Sequence, residues 1–347
     1  MYRLRWPLGL LAVCAGAAWS VWGYLPSGTS KVGAPGSGTP ALSAGPTQPR
    51  SGTEAEINTS LAAEARQVAA EMVRNLPNTP AALLLAGRIH YAFNDRTQAD
   101  ACWQRCVEVA PDFAEAWCSI GEAAWEHGEF ERAAQHLRRA LELNRHLEPK
   151  KVFFLADSLL NIGEAAEAVE VLETLDRRDP LPPFGLFLLG HAYAEQGVYD
   201  QARKRFEAAL SADPKAINVH YALARVLDRL GEPQKAEFHR QEYARLKGQE
   251  LQQIYESRTS LRRIDWADVR PLARECFLNA GRVYASRQRW EDAERHWRRA
   301  LEVDRENAET RLLLAALYRQ QGRYEEAERA ERGELPASQP VAPASLP

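Results

Sequence analysis

Small and large apolar positions recur along this chain at a fixed long interval. The small residue at the middle of successive apolar-periodic segments is Ala65, Ala99, Ala133, Ala168, Ala202, Ala236, Ala293 and Ala327, with separations of 34, 34, 35, 34, 34, 57 and 34 residues. Spacing held that closely is the mark of a repeat array. Twelve residues before each but the first comes another small residue, at Gly87, Gly121, Ala156, Gly190, Ala224, Gly281 and Ala315. Four residues after it a large apolar side chain is usual, as at Trp103, Leu137, Leu172, Phe206 and Trp297.

These positions predict antiparallel helix pairs. Pro111, Pro180 and Pro214 stop the second helices, because proline cannot continue the hydrogen-bond ladder. Gly128, Gly163, Gly197, Gly231 and Gly322 stand in the turn within a pair, where a helix C-terminus favours a left-handed residue. Small residues let two backbones approach, and the large ones fill the space beside them. One such pair cannot bury its own apolar face, so pairs stack into an all-α solenoid.

The segment LPPFGLFLLGHAYAEQGVYDQARKRFEAALSADP (181–214) carries Leu186, Leu189, Gly190, Tyr193, Gly197, Tyr199, Ala202, Phe206, Ala209 and Pro214. In this it resembles the tetratricopeptide repeat family. The resemblance implies about seven helix pairs in a right-handed superhelix, at roughly 80–111, 114–145, 149–180, 183–214, 217–248, 274–305 and 308–333, with 60–76 as a lone second helix before them. The fifth pair departs from the pattern, with Arg240 and Tyr243 where an aromatic and an alanine belong. The long interval that follows predicts an insertion over 249–272 that lengthens the fifth pair's second helix. It divides an array over 54–248 from two further pairs over 273–333.

The two ends are of another kind. Residues 6–25, WPLGLLAVCAGAAWSVWGYL, hold no charge, follow Arg3 and Arg5, and carry aromatics near both ends. Twenty such residues make a helix of about 30 Å, enough to cross a hydrocarbon core. The sequence therefore predicts a transmembrane signal-anchor over 1–25 with the rest of the chain exported. The alternatives are a cleaved signal peptide, using Ala15-Gly16-Ala17, and lipidation at Cys14, against which stands Val13 before it. Residues 26–53, rich in Gly, Pro, Ser and Thr, predict a disordered linker, and 334–347 a disordered Pro-rich tail.

The chain has 347 residues with 44 basic and 47 acidic side chains, a net charge of −3, so no basic field points to nucleic acid. The basic residues are almost all Arg, a skew typical of GC-rich bacterial genomes. Five cysteines in a chain this long do not make a disulfide framework. No phosphate loop, HExxH or GxSxG is present, and the eight histidines are scattered, so neither catalysis, metal nor cofactor is expected.

In the family, the first helix of each pair lines the concave side. Carried over by register, that implies a peptide groove with Arg88, Tyr91, Glu122, Trp125, Phe153, Asp157, Phe187, His191, Tyr221 and Arg225. Aromatics there alternate with charges whose sign changes from Glu122 and Asp157 to Arg225, an arrangement suited to a protein or peptide segment. The Lys and Asn with which some members clamp a chaperone's C-terminal carboxylate are absent. The expected function is a membrane-tethered scaffold for protein–protein interaction, in a bacterial envelope complex. The alternative is an accessory subunit of an envelope enzyme or assembly machine that docks through 249–272.

Overall fold

A computed structural model describes residues 54–260 and 269–334, with side chains described over 56–252 and 269–334. The chain separates into two units, Met1–Ser60 and Leu61–Pro347. The stretch 6–25, the linker and the tail beyond 334 lie outside the described residues. Among those described, no helix is long and apolar enough to cross a membrane.

The described residues form a lone helix, α1 (Glu54–Asn75), and seven helix pairs. The first three pairs are α2 (Pro80–Ala92) with α3 (Arg96–Val109), α4 (Ala114–Glu126) with α5 (Phe130–Leu143), and α6 (Pro149–Ile162) with α7 (Ala165–Arg178). Two more are α8 (Pro183–Glu195) with α9 (Tyr199–Ala212), and α10 (Ile217–Arg229) with α11 (Pro233–Ser260). The last two are α12 (Arg270–Ser286) with α13 (Trp290–Val303), and α14 (Ala308–Gln320) with α15 (Tyr324–Glu331). The eight alanines that set the period are all at most 1% exposed, which places the sequence register on the contact between helices.

Size complementarity locks each pair. A Cβ built on Gly87 would lie 2.2 Å from the Trp103 ring, and one on Gly281 2.3 Å from Trp297. On Gly190 it would meet Phe206, and on Gly121 Leu137, both at 2.6 Å. Each tryptophan also spends its indole N–H on the backbone of the first helix, Trp103 on Leu84 O (3.2 Å) and Trp297 on Leu278 O (3.1 Å). The third pair has the smaller combination Ala156 and Leu172, both fully buried. In the fifth pair, where Ala224 takes the small position, Arg240 is turned to Asp228 (2.7 Å) and Glu237 (2.9 Å). That accounts for its departure from the pattern.

Successive second helices are joined on the outside by ion pairs 29 residues apart. Arg138 meets Glu167 (2.7 Å), Asp176 meets Arg205 (3.0 Å), Arg203 meets Glu232 (2.9 Å) and Glu294 meets Arg323 (2.7 Å). Such partly exposed pairs contribute little individually, about 0–1 kcal/mol, but their recurrence fixes register.

Neighbouring first helices also touch, so α2, α4, α6, α8 and α10 form one continuous wall. The order of stacking then leaves the order of the sequence: α12 packs beside α2. Leu61, Val68 and Met72 of α1 and Ala82 of α2 share one buried cluster with Phe277, Tyr284 and Trp297. Arg299 holds Glu64 through two bonds of 2.7 Å, and Asn75 donates to the Tyr284 hydroxyl at 3.5 Å. The sixth pair thus covers α1, which has no first helix of its own among the described residues.

This junction contains a pH-sensitive group. His296 is 3% exposed and stacks on Tyr284, with ring centroids 5.2 Å apart and 10° between planes. Burial, with Arg295 adding to it, lowers its pKa to about 4 against the opposing pull of Glu71, Asp292 and Glu64. A base with a depressed native pKa binds more protons when unfolded. Its stability contribution is therefore whole above the unfolded value of about 6.5 and is lost as pH falls towards 4, by about 3 kcal/mol. Urea melts between these limits should show that loss, and His296→Leu should flatten it. An unchanged slope in the variant would place the acid sensitivity elsewhere.

Candidate interaction wall

The first helices present two columns of side chains to the wall, each stepping one repeat at a time. The first column is Leu84, Cys118, Phe153, Phe187 and Tyr221, and the second Arg88, Glu122, Asp157, His191 and Arg225. Along the first column exposure grows: Leu84 and Phe153 are 8% exposed and Cys118 3%, while Tyr221 reaches 43%. The wall is closed at α2–α6 and opens towards α10.

The closed part is held by contacts between neighbouring first helices. Arg88 Nε donates to Ser119 Oγ at 3.5 Å. The Tyr91 hydroxyl donates to the Glu126 carboxylate, and with burial this pushes the phenol well above its ordinary range. Glu122 pairs with Lys151, whose own pKa burial draws down to about 8. The Trp125 indole N–H donates to Asp157 Oδ2 at 2.7 Å, and its ring lies against Phe154 at 4.3 Å. Burial raises the Asp157 pKa while the Trp125 bond opposes that rise.

Two of the residues expected to face a partner are buried instead. Phe153 lies edge-on to Phe184, with centroids 5.8 Å apart, and narrows the α6–α8 junction. His191 is 6% exposed, packs beside Phe187 and has Nε2 3.9 Å from Glu195, and burial lowers its pKa. Both are wall supports. Phe187 is half-buried between His191 and Phe206.

The open part centres on α8 and α10. Phe184 is 53% exposed and stacks at 6.5 Å on Phe187. Tyr221 leans on Tyr243 of α11 at 5.3 Å, and the Arg225 guanidinium lies 6.0 Å from the Tyr221 ring. Lys151 and Phe154, which complete the closed part, were not singled out from the sequence. The 29-residue step from Glu122 to Lys151, the same as in the outer ion pairs, is the signal that would have found the lysine.

Two family models, both described as tetratricopeptide repeat, match this chain. One covers residues 84–148 and 278–343 and the other 124–184 and 193–248, together more than half of its length. Among curated relatives, the Emericella nidulans Protein bimA is 24% identical over 176 residues, 51% of this chain and 22% of that protein. Anaphase-promoting complex subunit 3 of Schizosaccharomyces pombe is 21% identical over 169 residues, 49% of this chain and 25% of its own. The chain spans about a quarter or less of these relatives. Of solved structures, YrrB, a TPR protein with an unusual peptide-binding site, aligns with TM-score 0.49 and 14% identity over 55% of this chain and 97% of its own. MamA aligns with TM-score 0.44 and 16% identity over 48% of this chain and 96% of its own. Repeat spacing, helix pairing and the matching models converge on one assignment: this chain belongs to the tetratricopeptide repeat family.

Proposed function

We propose that the protein is a scaffold that holds a segment of a partner protein against the wall of first helices. The observation carrying this reading is the pair of exposed rings, Phe184 at 53% and Tyr221 at 43%, on the α8–α10 side of a wall whose α2–α6 side is closed by contacts between neighbouring first helices. Exposed aromatics on a rigid surface are the residues that dominate binding energy in interfaces. Residues 6–25 would tether the array to a membrane, with Arg3 and Arg5 keeping the N-terminus inside and the repeats exported to an envelope complex.

A second reading, an accessory subunit docking through 249–272, draws on α11, which runs on to Ser260 with Leu251 57% exposed. Replacing Phe184 and Tyr221 together by Ala separates the two. Both rings are exposed rather than core, so the fold should hold, while partner capture from solubilised membranes should weaken tenfold or more. Undiminished capture by the folded variant, lost only on deletion of 249–268, would give the role to α11's extension.

A further inference from the structure

The seventh pair shows a face that a pair inside the array has covered. In the fourth pair that face includes Phe187 and Tyr199, partly buried against the cluster that Val219, Ala222 and Leu223 of α10 complete. The same two repeat positions in the seventh pair are Leu312 and Tyr324. They are 61% and 68% exposed, and among the described residues no helix follows α15. Ala316, one turn beyond Leu312, is exposed on the same stripe of α14. The charges that flank the stripe are turned aside, Glu309 to Arg282 and Arg319 to Glu331. What lies between them is apolar.

The way the chain leaves α15 bears on what covers this face. Gly333 has φ +77°, its N–H bonds Ala330 O at 3.0 Å, and the Glu334 N–H bonds Arg329 O at 2.9 Å. Inside the fourth pair Gly197 has φ +76° and the same two bonds recur, Gly197 to Ala194 O (3.0 Å) and Val198 to Tyr193 O (2.9 Å). That turn sends α9 back along α8. The exit from a second helix to the next pair is different: α9 leaves through Asp213 at φ −133°, with no left-handed residue. At Gly333 the chain therefore makes the turn that reverses it within a pair. The turn lies against α14, since a Cβ on Gly333 would be 2.8 Å from the guanidinium of Arg311, the neighbour of Leu312. A segment returning from there along α15 runs from Leu312 towards Tyr324.

We propose that residues 335–347 lie extended across the open α14–α15 face, a strap that starts beside Leu312 and ends over Tyr324 in the place of a further first helix. The composition fits this seat. LPASQPVAPASLP has no charged side chain, and Pro336, Pro340, Pro343 and Pro347 bar a helix and favour the polyproline conformation. That conformation is already restricted before docking, so laying it on exposed rings costs little entropy. At about 3.1 Å per residue the segment reaches well past the ~12 Å of α14 that lies beyond Leu312. A second copy of the chain is the competing occupant. Nothing in this depends on what the wall at α8–α10 binds.

The test places a benzophenone side chain at position 312, 324 or 328 of the full chain and maps the photoproducts by mass spectrometry. Mixing isotope-labelled and unlabelled chains tells links within a chain from links between chains. Position 328 is exposed on α15 and nearer to the tail in sequence than 312 or 324. Links from 312 and from 324 to 335–347 within one chain should exceed those from 328 by about tenfold. Leu335→Asp with Val341→Asp, changes confined to the tail, should bring that ratio to about one, because the apolar anchors are lost. Truncation after Glu334 should speed amide exchange in 312–330 about tenfold and leave α6 to α9 unchanged. Equal or stronger linking from 328, or a ratio that the tail aspartates leave untouched, overturns the proposal, since the tail is then merely tethered nearby. Unaltered exchange after truncation overturns it too. Links between labelled and unlabelled chains that rise with concentration overturn it in favour of a second copy.

Discussion

Deleting residues 269–347 should loosen α1 to α3, the helices farthest from the cut in sequence. Leu61, Val68, Met72 and Ala82 are buried by Phe277, Tyr284 and Trp297, and Glu64 is held by Arg299. Removing the sixth and seventh pairs strips that cover from α1. Amide exchange in 61–75 should accelerate about a hundredfold, equivalent to about 3 kcal/mol of lost protection, with smaller effects in α2 and α3. Exchange in α6 to α9 should be unchanged, because those helices pack on one another and on α4, α5 and α10. Acceleration confined to α10 and α11, the neighbours in sequence, would mean that the array stacks in simple chain order and that α12 does not pack on α2.

The second large effect concerns the Gly281–Trp297 contact. Trp297→Ala removes a 4% exposed ring and its bond to Leu278 O, and should cost about 3–5 kcal/mol. Gly281→Ala places a methyl where the indole lies and should cost about 1–3 kcal/mol. The third pair shows how the two can be reconciled, since Ala156 sits with Leu172 there without exposure of either. Gly281→Ala combined with Trp297→Leu should therefore be more stable than the sum of the single changes implies, with a coupling of about 1–2 kcal/mol. Strict additivity in urea melts would show that the two positions do not share one packing site.

The helix pairs were legible because the determinants of each pair are local. A small residue, a large one sixteen positions on and a left-handed turn between them lie within one repeat, and five of the seven pairs carry all three. The seat of the sixth pair was not legible. Period arithmetic carries neighbour relations only along the sequence, and the 57-residue interval breaks it. Nothing in α1 alone reveals that Met72 is covered from a helix some two hundred residues away.

The wall was legible as to which helices build it and less so as to which side chains remain open. Helix α8, PFGLFLLGHAYAE, is apolar on nearly every side, so its pattern does not separate the side that packs from the side that faces out. His191 of α8 was placed in the groove by register for the same reason and Phe153 of α6 by register alone, and the structure buries both. The acidic middle of the groove was inferred from Glu122 and Asp157 as though both faced solvent. Lys151 and Trp125 reach them first.

A photo-crosslinking side chain placed at position 184, with a second chain carrying it at exposed position 207 on α9, tests the binding wall most directly. The account predicts one discrete crosslinked partner through 184 and none through 207. Crosslinks through 207 in place of 184 would put the partner on the second helices and contradict it.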